Sequence, residues 1–275
     1  MAEPFRFGNA LGYTFAQLAE MHNESFSGYF VPFTMTPESV AVFWRDSHID
    51  ARVCVVMESE AGEFAGMARM GVRGDRAWCG GFGITPAFRG MGASHQLAAQ
   101  MVAVARQFGL SSLQLEVLTQ NAAAITVYER VGLVKERRLA GLQIDTSALQ
   151  PDPNLSPTPA SSDTLLPILA QQGRLDWRRE PASILATSTQ IATVSDGKAT
   201  GSIVYARNSD RLQILAVRLD DAITPAAFGA SLAALAGTTP QITIPNEPED
   251  THLYRLCLSI GFAPFYTQFE MAMTL

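Results

Sequence analysis

Cysteine is scarce in this chain of 275 residues, and what there is does not pair. Cys54, Cys79 and Cys257 are odd in number, far apart and without Cys-x-x-Cys spacing. That excludes a disulfide framework and a zinc site built on thiolates. The histidines (His22, His48, His95, His252) form no His-x-x-x-His pair, so no metal is expected. Basic clusters are also missing, and the net charge is −6, which argues against nucleic acid as a partner. The acidic balance suits a cationic substrate, and it equally suits plain solubility. No apolar run reaches the length of a membrane-spanning helix. Met1-Ala2-Glu3-Pro4-Phe5-Arg6 lacks the basic-then-apolar order of a signal peptide. A soluble, cytoplasmic protein without membrane or nucleic-acid partners is therefore the expectation, as a monomer or homodimer.

Apolar residues are plentiful, at 47% against 17% charged, enough to bury a sizeable core. One stretch breaks the pattern. Residues 150–163 hold four prolines and almost nothing apolar, and read as an extended linker or long surface connection. The predicted organisation is a domain over 1–149, a Pro/Ser-rich linker over 150–163 and a domain over 164–275.

In the first half, residues 14–25 read as a helix, and Thr36-Pro37 opens another running towards Arg45. Strands are predicted over 53–57, 64–72 and 77–84, the last two joined by a turn at 73–76. A helix over 93–108 presents Leu97, Met101, Ala105 and Phe108 at helical spacing and ends at Gly109. A strand over 113–118 follows. Asn121 then caps a helix over 122–131 that Gly132 ends, and a strand over 134–144 closes the half. The second half repeats the order. Strands are predicted over 190–193 and 201–206 around an Asp196-Gly197 turn, then 212–217. A helix over 225–236 and a strand over 241–244 follow. Then come Asn246, a helix around 254–259, Gly261-Phe262 and a strand over 268–274. This is an internal duplication with a mixed α/β sheet in each copy.

The densest chemical signal lies in residues 80–94, Gly-Gly-Phe-Gly-Ile-Thr-Pro-Ala-Phe-Arg-Gly-Met-Gly-Ala-Ser. It reads as a strand end, a turn and an Arg-Gly-Met-Gly loop opening a helix. Such a loop can aim several backbone N–H groups at one anion, the helix N-terminus adds partial positive charge, and Arg89 adds a cation. A diphosphate fits. No Gly-x-x-x-x-Gly-Lys-Ser/Thr string exists, which excludes a Walker loop. From Gly90 the third glycine of Gly-x-Gly-x-x-Gly is missing, which disfavours a dinucleotide oxidoreductase. The second half lacks the loop altogether, since 218–228 contains no glycine. One cofactor site per chain is expected.

Three strings together resemble the GNAT superfamily of N-acetyltransferases: Pro86-x-Phe88-Arg89-Gly90-Met91-Gly92-Ala93-Ser94, Leu115-Glu116-Val117, and Asn121-x-x-Ala124-x-x-x-Tyr128-x-x-x-Gly132-Leu133. The family signature Arg/Gln-x-x-Gly-x-Gly/Ala stands here as Arg89-x-x-Gly92-x-Ser94, departing only at the small Ser94. The whole chain is similar to tandem members, with a degenerate C-terminal copy. The resemblance implies two acyl-CoA N-acyltransferase folds of mixed α/β sheet. It implies acetyl-CoA as cosubstrate, no metal, and transfer of acetyl to an amine of a small molecule or peptide. Backbone N–H groups of Arg89, Gly90, Met91, Gly92, Ala93 and Ser94 would hold the diphosphate. Phe82, Gly83 and Ile84 would pair with pantetheine amides, Asn121 and Ala124 would contact that arm, and Tyr128 would protonate the leaving thiolate.

Blander readings stand beside these. Tyr128 alone is a core aromatic, Asn121 alone a helix cap, and Arg89 alone a surface charge. Glu116 faces away from Leu115 and Val117, either towards a substrate cleft as the base or as a structural carboxylate. His22 and Glu24 are rival bases or simply a polar helix face, and His95 faces solvent or phosphate. Cys79 reads as a small buried hydrophobe. The aromatics Phe26, Tyr29, Phe30 and Phe33 line an acceptor pocket or pack the core. A non-catalytic acyl-CoA-binding regulator is the alternative to an enzyme.

Overall fold

The computed structural model describes residues 5–30, 34–170, 174–195 and 198–275. The expected turn at Asp196-Gly197, and Phe33 of the aromatic stretch, lie outside them. Contacts group the chain into two compact units, Met1–Glu136 with Phe269–Leu275, and Arg137–Gln268.

The first unit contains β1 (Phe5–Gly8), α1 (Phe15–Ser25), α2 (Pro37–Ser47), β2 (Val55–Ser59), β3 (Phe64–Arg73) and β4 (Arg76–Ile84). Then come α3 (Ala93–Gln107), β5 (Ser112–Leu118), α4 (Ala122–Arg130) and the start of β6 (Val134–Asp145). Local chemistry sets the helix starts. Thr14 and Gln17 form a reciprocal capping box on α1, and Thr36 caps α2 with Pro37 at its first position. Asn121 accepts from the Ala124 N–H to start α4. The sheet runs antiparallel through β1, β2, β3 and β4, and β5 joins β4 in parallel. Leu97, Ala98, Met101 and Ala105 of α3 are buried, and they pack with Leu113, Leu115 and Val117 of β5. Each such large side chain contributes about 1.5–3 kcal/mol on burial. The end of the chain also belongs to this unit: Met271 lies in its core and the Leu275 N–H donates to the Ser111 carbonyl at 2.9 Å.

The second unit takes the rest of β6, β7 (Thr158–Pro159), α5 (Leu165–Ala170), α6 (Pro181–Ala186), β8 (Gln190–Ser195) and β9 (Thr200–Arg207). It continues with β10 (Arg211–Leu219), α7 (Pro225–Ala236), β11 (Gln241–Pro248), α8 (His252–Ser259) and the start of β12 (Ala263–Thr274). Its sheet order is β6-β11-β10-β9-β8-β7, with β10 and β11 parallel. The proline-rich stretch is built into this unit, as Thr158 and Pro159 pair with Thr193 and Ala192. Proline at a sheet edge costs no ladder donor.

The repeat differs at one expected point. Asn246 does not cap the helix that follows it; it lies inside β11, where Pro245 and Asn246 bulge out of register with β6, with Asn246 at φ 47°. Thr251 caps α8 instead. Asparagine tolerates the left-handed region better than most side chains, and a bulge uses it.

Candidate active site

The site is built where two parallel strands part company. β4 pairs with β5 only from Arg76↔Ser112 to Cys79↔Leu115. Beyond that point β4 continues through Gly80–Ile84 without a β5 partner, and β5 continues to Leu118. A register shift on β3 between Arg69 and Met70 leaves Gly80 as the bulged residue of β4. Glycine is required there, because a Cβ on Gly80 would sit 2.2 Å from the Trp78 ring. Gly83 has a similar reason: its Cβ would meet Ser25 Cβ at 2.7 Å, so its smallness lets the end of α1 approach the strand.

The loop after β4 presents donors. Gly90 and Gly92 adopt φ of 78° and 82°, and a Cβ on either would meet nothing within 4 Å, so the glycines serve the backbone turn and the space above stays open. Gly92 is the N-cap of α3 and makes no side-chain cap bond. Among the described residues, the N–H groups of Gly90, Met91, Gly92, Ala93 and Ser94 make no backbone hydrogen bond. An uncapped helix start with free donors and no acidic first turn suits an anion. The Arg89 N–H, by contrast, is directed at the Pro86 carbonyl at 3.4 Å.

The Arg89 side chain departs from the expectation that it adds its charge to this loop. Its Nε donates to the Ile84 carbonyl at 2.9 Å, and its Nη2 donates to the carbonyls of Ser25 at 3.1 Å and Ser27 at 2.8 Å. A guanidinium committed to three carbonyls is a clamp between the loop and the end of α1. A cation that does reach the first turn of α3 is Arg130, whose Nη1 lies 2.8 Å from Nε2 of His95. Sequence spacing offered no signal for that pair.

At the other end of the opening stands Tyr128. It is 6% exposed and its ring meets Phe82 edge-on at 5.4 Å. No side chain or backbone group among the described residues hydrogen-bonds its hydroxyl. Burial, with smaller contributions from Cys79 and Tyr29, pushes its pKa well above 10, so the phenol stays protonated. Asn121, besides capping α4, lies beside the Tyr29 hydroxyl and offsets part of the rise that burial gives the Tyr29 pKa. The structure thus brings Phe82, Tyr128, Asn121 and Tyr29 together. The particular role of Tyr29 was not legible, because nothing local links it to residue 121.

Glu116 is half-buried just past the point of divergence, and its Oε2 accepts a 2.7 Å bond from Trp78 Nε1. Its structural partner is therefore an indole on the neighbouring strand. Arg69, 4% exposed, stacks on Phe43 at 4.9 Å and directs Nη2 to the Gly80 carbonyl at 3.5 Å. His22 is buried and stacks on Phe26 at 4.5 Å, while Glu24 is exposed. Cys79 is buried and its thiol is pushed up to about 12, mainly by desolvation, so it is no nucleophile.

Residues 15–133 match the model of the acetyltransferase (GNAT) family. The tandem arrangement extends to solved structures. The chain is similar to a GCN5-related N-acetyltransferase from Sphaerobacter thermophilus, at 13% identity and TM-score 0.69, covering 99% of this chain and 96% of that one. It is similar to a tandem GNAT protein from the clavulanic acid biosynthesis pathway, at 13% identity and TM-score 0.69, covering 98% of both.

Residues 15–133 thus match the GNAT family, and the whole chain shares the fold of a solved tandem GNAT protein.

A GCN5-related N-acetyltransferase from Anabaena variabilis matches at 17% identity and TM-score 0.62, over 98% of this chain and 72% of that one. At such identities these likenesses establish the fold. A comparison with curated proteins returns no match. No group of three or more His, Cys, Asp or Glu among the described residues is placed to hold a metal ion. No helix among them is long and apolar enough to cross a membrane.

Proposed function

We propose that this protein is an N-acetyltransferase that moves acetyl from acetyl-CoA directly to a primary amine of a small molecule or peptide, with the first unit as the working half. The observation that carries the reading is the β4–β5 divergence, with an unoccupied row of N–H donors at one end and a neutral, buried phenol at the other. When bound, acetyl-CoA supplies an activated acyl thioester.

The chain's own residues then have separable tasks. Gly90, Met91, Gly92, Ala93 and Ser94 bind the diphosphate through backbone N–H groups, with open space above both glycines. Phe82, Gly83 and Ile84 offer a strand edge to the pantetheine arm, and Asn121 and Ala124 border it at the start of α4. Tyr128 holds a proton at its hydroxyl and gives it to the departing sulfur. Glu116, positioned by Trp78, takes the proton that the amine must lose.

A thermal-shift comparison of acetyl-CoA, CoA, NAD and ATP tests the binding half. Stabilisation by the two CoA species alone is expected, and no shift with either overturns the reading. Free-thiol release across a panel of amines tests the chemical half. Binding without thiol release from any amine would leave an acyl-CoA-binding regulator.

A further inference from the structure

The second unit carries the same strand divergence, and something already sits in it. β10 and β11 pair in parallel only from Arg211↔Gln241 to Gln213↔Thr243, then separate. A register shift leaves Leu215 as the bulged residue of β10, in the place that Gly80 takes in β4. Arg179, 1% exposed, runs into this gap. Its Nε donates to the Leu215 carbonyl at 2.9 Å, and its Nη1 donates to the Pro245 carbonyl at 3.1 Å and to Glu247 Oε2 at 2.6 Å. One guanidinium therefore joins both separated strands. Glu247 is held in turn by the Thr251 hydroxyl at 2.6 Å.

The anion end is closed as well. Thr224 caps α7 by accepting the Ala227 N–H at 3.2 Å, and Pro225 at the first position has no N–H to offer. A cavity of about 830 Å³ at the start of α7 is lined by residues 148–155 and parts of α7, with Asp152 and no Lys or Arg among its lining residues. A diphosphate would find no cation there, and the cap on Ala227 and the proline at 225 leave fewer donors than the loop at 90–94 offers.

We propose that the β10–β11 opening is a ligand slot occupied from within by Arg179, so that the second unit takes no acyl-CoA and each chain binds one. The residue acts as a built-in ligand: it satisfies the strand carbonyls that the divergence exposes, and Glu247 neutralises it.

Two measurements on the full chain test this. In Arg179→Ala the slot is vacated beside Glu247, so the melting temperature falls. Millimolar methylguanidinium restores it more than equimolar sodium chloride does, and has no such effect on the parent protein. Loss of stability without rescue overturns the proposal. Calorimetric titration of the parent protein and of Gly92→Val with acetyl-CoA is the second measurement, and it decides should Arg179→Ala not fold. The titration rests on the function proposed above. One site per chain in the parent and none in the variant supports the closed slot. Two sites, or one that survives Gly92→Val, overturns it. No site in the parent overturns the reading of the first unit, and the methylguanidinium result then judges the slot alone.

Discussion

Arg89 Nη2 lies 2.8 Å from the carbonyl oxygen of Ser27, across sixty-two residues of chain. The same nitrogen reaches Ser25, and Nε reaches Ile84. Arg89 thus ties the donor-rich loop to the segment after α1, whose Tyr29 lies beside Asn121. The donor-rich loop and the aromatic segment share one support.

This clamp works by geometry more than by charge. Arg89→Lys keeps the cation and loses the planar fork, so it is expected to behave like Arg89→Met. Both should lose roughly 1.5–3 kcal/mol of stability, the usual worth of hydrogen bonds from a charged donor. Both should weaken acetyl-CoA binding to a similar degree. Chemical denaturation and calorimetric titration check this. A lysine variant with parental binding would show that the charge itself faces the diphosphate.

Tyr128→Phe keeps the ring against Phe82 and removes only the hydroxyl. Turnover should fall by about 10²-fold, the low end for a positioned acid, with acetyl-CoA affinity little changed. The phenol is raised well above 10, so it holds its proton throughout the working range. The variant's rate should therefore run parallel to the parent's across neutral and mildly alkaline pH. A limb of the pH profile that disappears in Tyr128→Phe would contradict this assignment.

Asp176 connects pH to the stability of the second unit. It is buried, with Arg178 and Arg179 nearby, Glu247 beyond Arg179, and Asn246 Nδ2 at 3.5 Å from its Oδ1. Burial outweighs the two arginines and pushes its pKa up to about 6 from the ordinary 3.8. Between those values the folded chain keeps a proton that the unfolded chain has released. The contribution of Asp176 is thus fully present below about pH 4 and lost as pH rises through about 6. Asp176→Asn retains the Oδ1 that accepts the Arg178 N–H. It should flatten this decline and exceed the parent by about 1–3 kcal/mol above pH 6. Urea denaturation at pH 4, 5, 6 and 7.5 measures it, and an unchanged slope would sink the assignment.

What could be read from the residues alone was whatever depends on neighbours in the chain. Thr14, Thr36 and Asn121 cap helices because a side-chain oxygen reaches an N–H two or three residues on. Gly90, Gly92, Gly109 and Gly132 mark positive φ because only glycine takes it without penalty. Periodicity located α3 and β5, and the spacing from Arg89 to Tyr128 carried the GNAT resemblance that the match over residues 15–133 bears out.

The destinations of long polar side chains needed the folded chain. Arg89 ends on Ser25 and Ser27, Glu116 on Trp78, and Arg179 on Glu247, because each reaches a partner that only the sheet brings near. Asn246 looked like a counterpart of Asn121 and became a bulge, since register with β6 is settled by pairing along the strand. The sequence by itself determined the repeated α/β fold, the GNAT resemblance and the location of a donor-rich loop. Tertiary structure alone decided that Arg89 supports that loop from behind, and that the second unit's opening is closed by its own arginine. A guanidinium held against the fold bonds whatever acceptors surround it, and those are chosen by packing; at the buried Arg179 they must satisfy every donor.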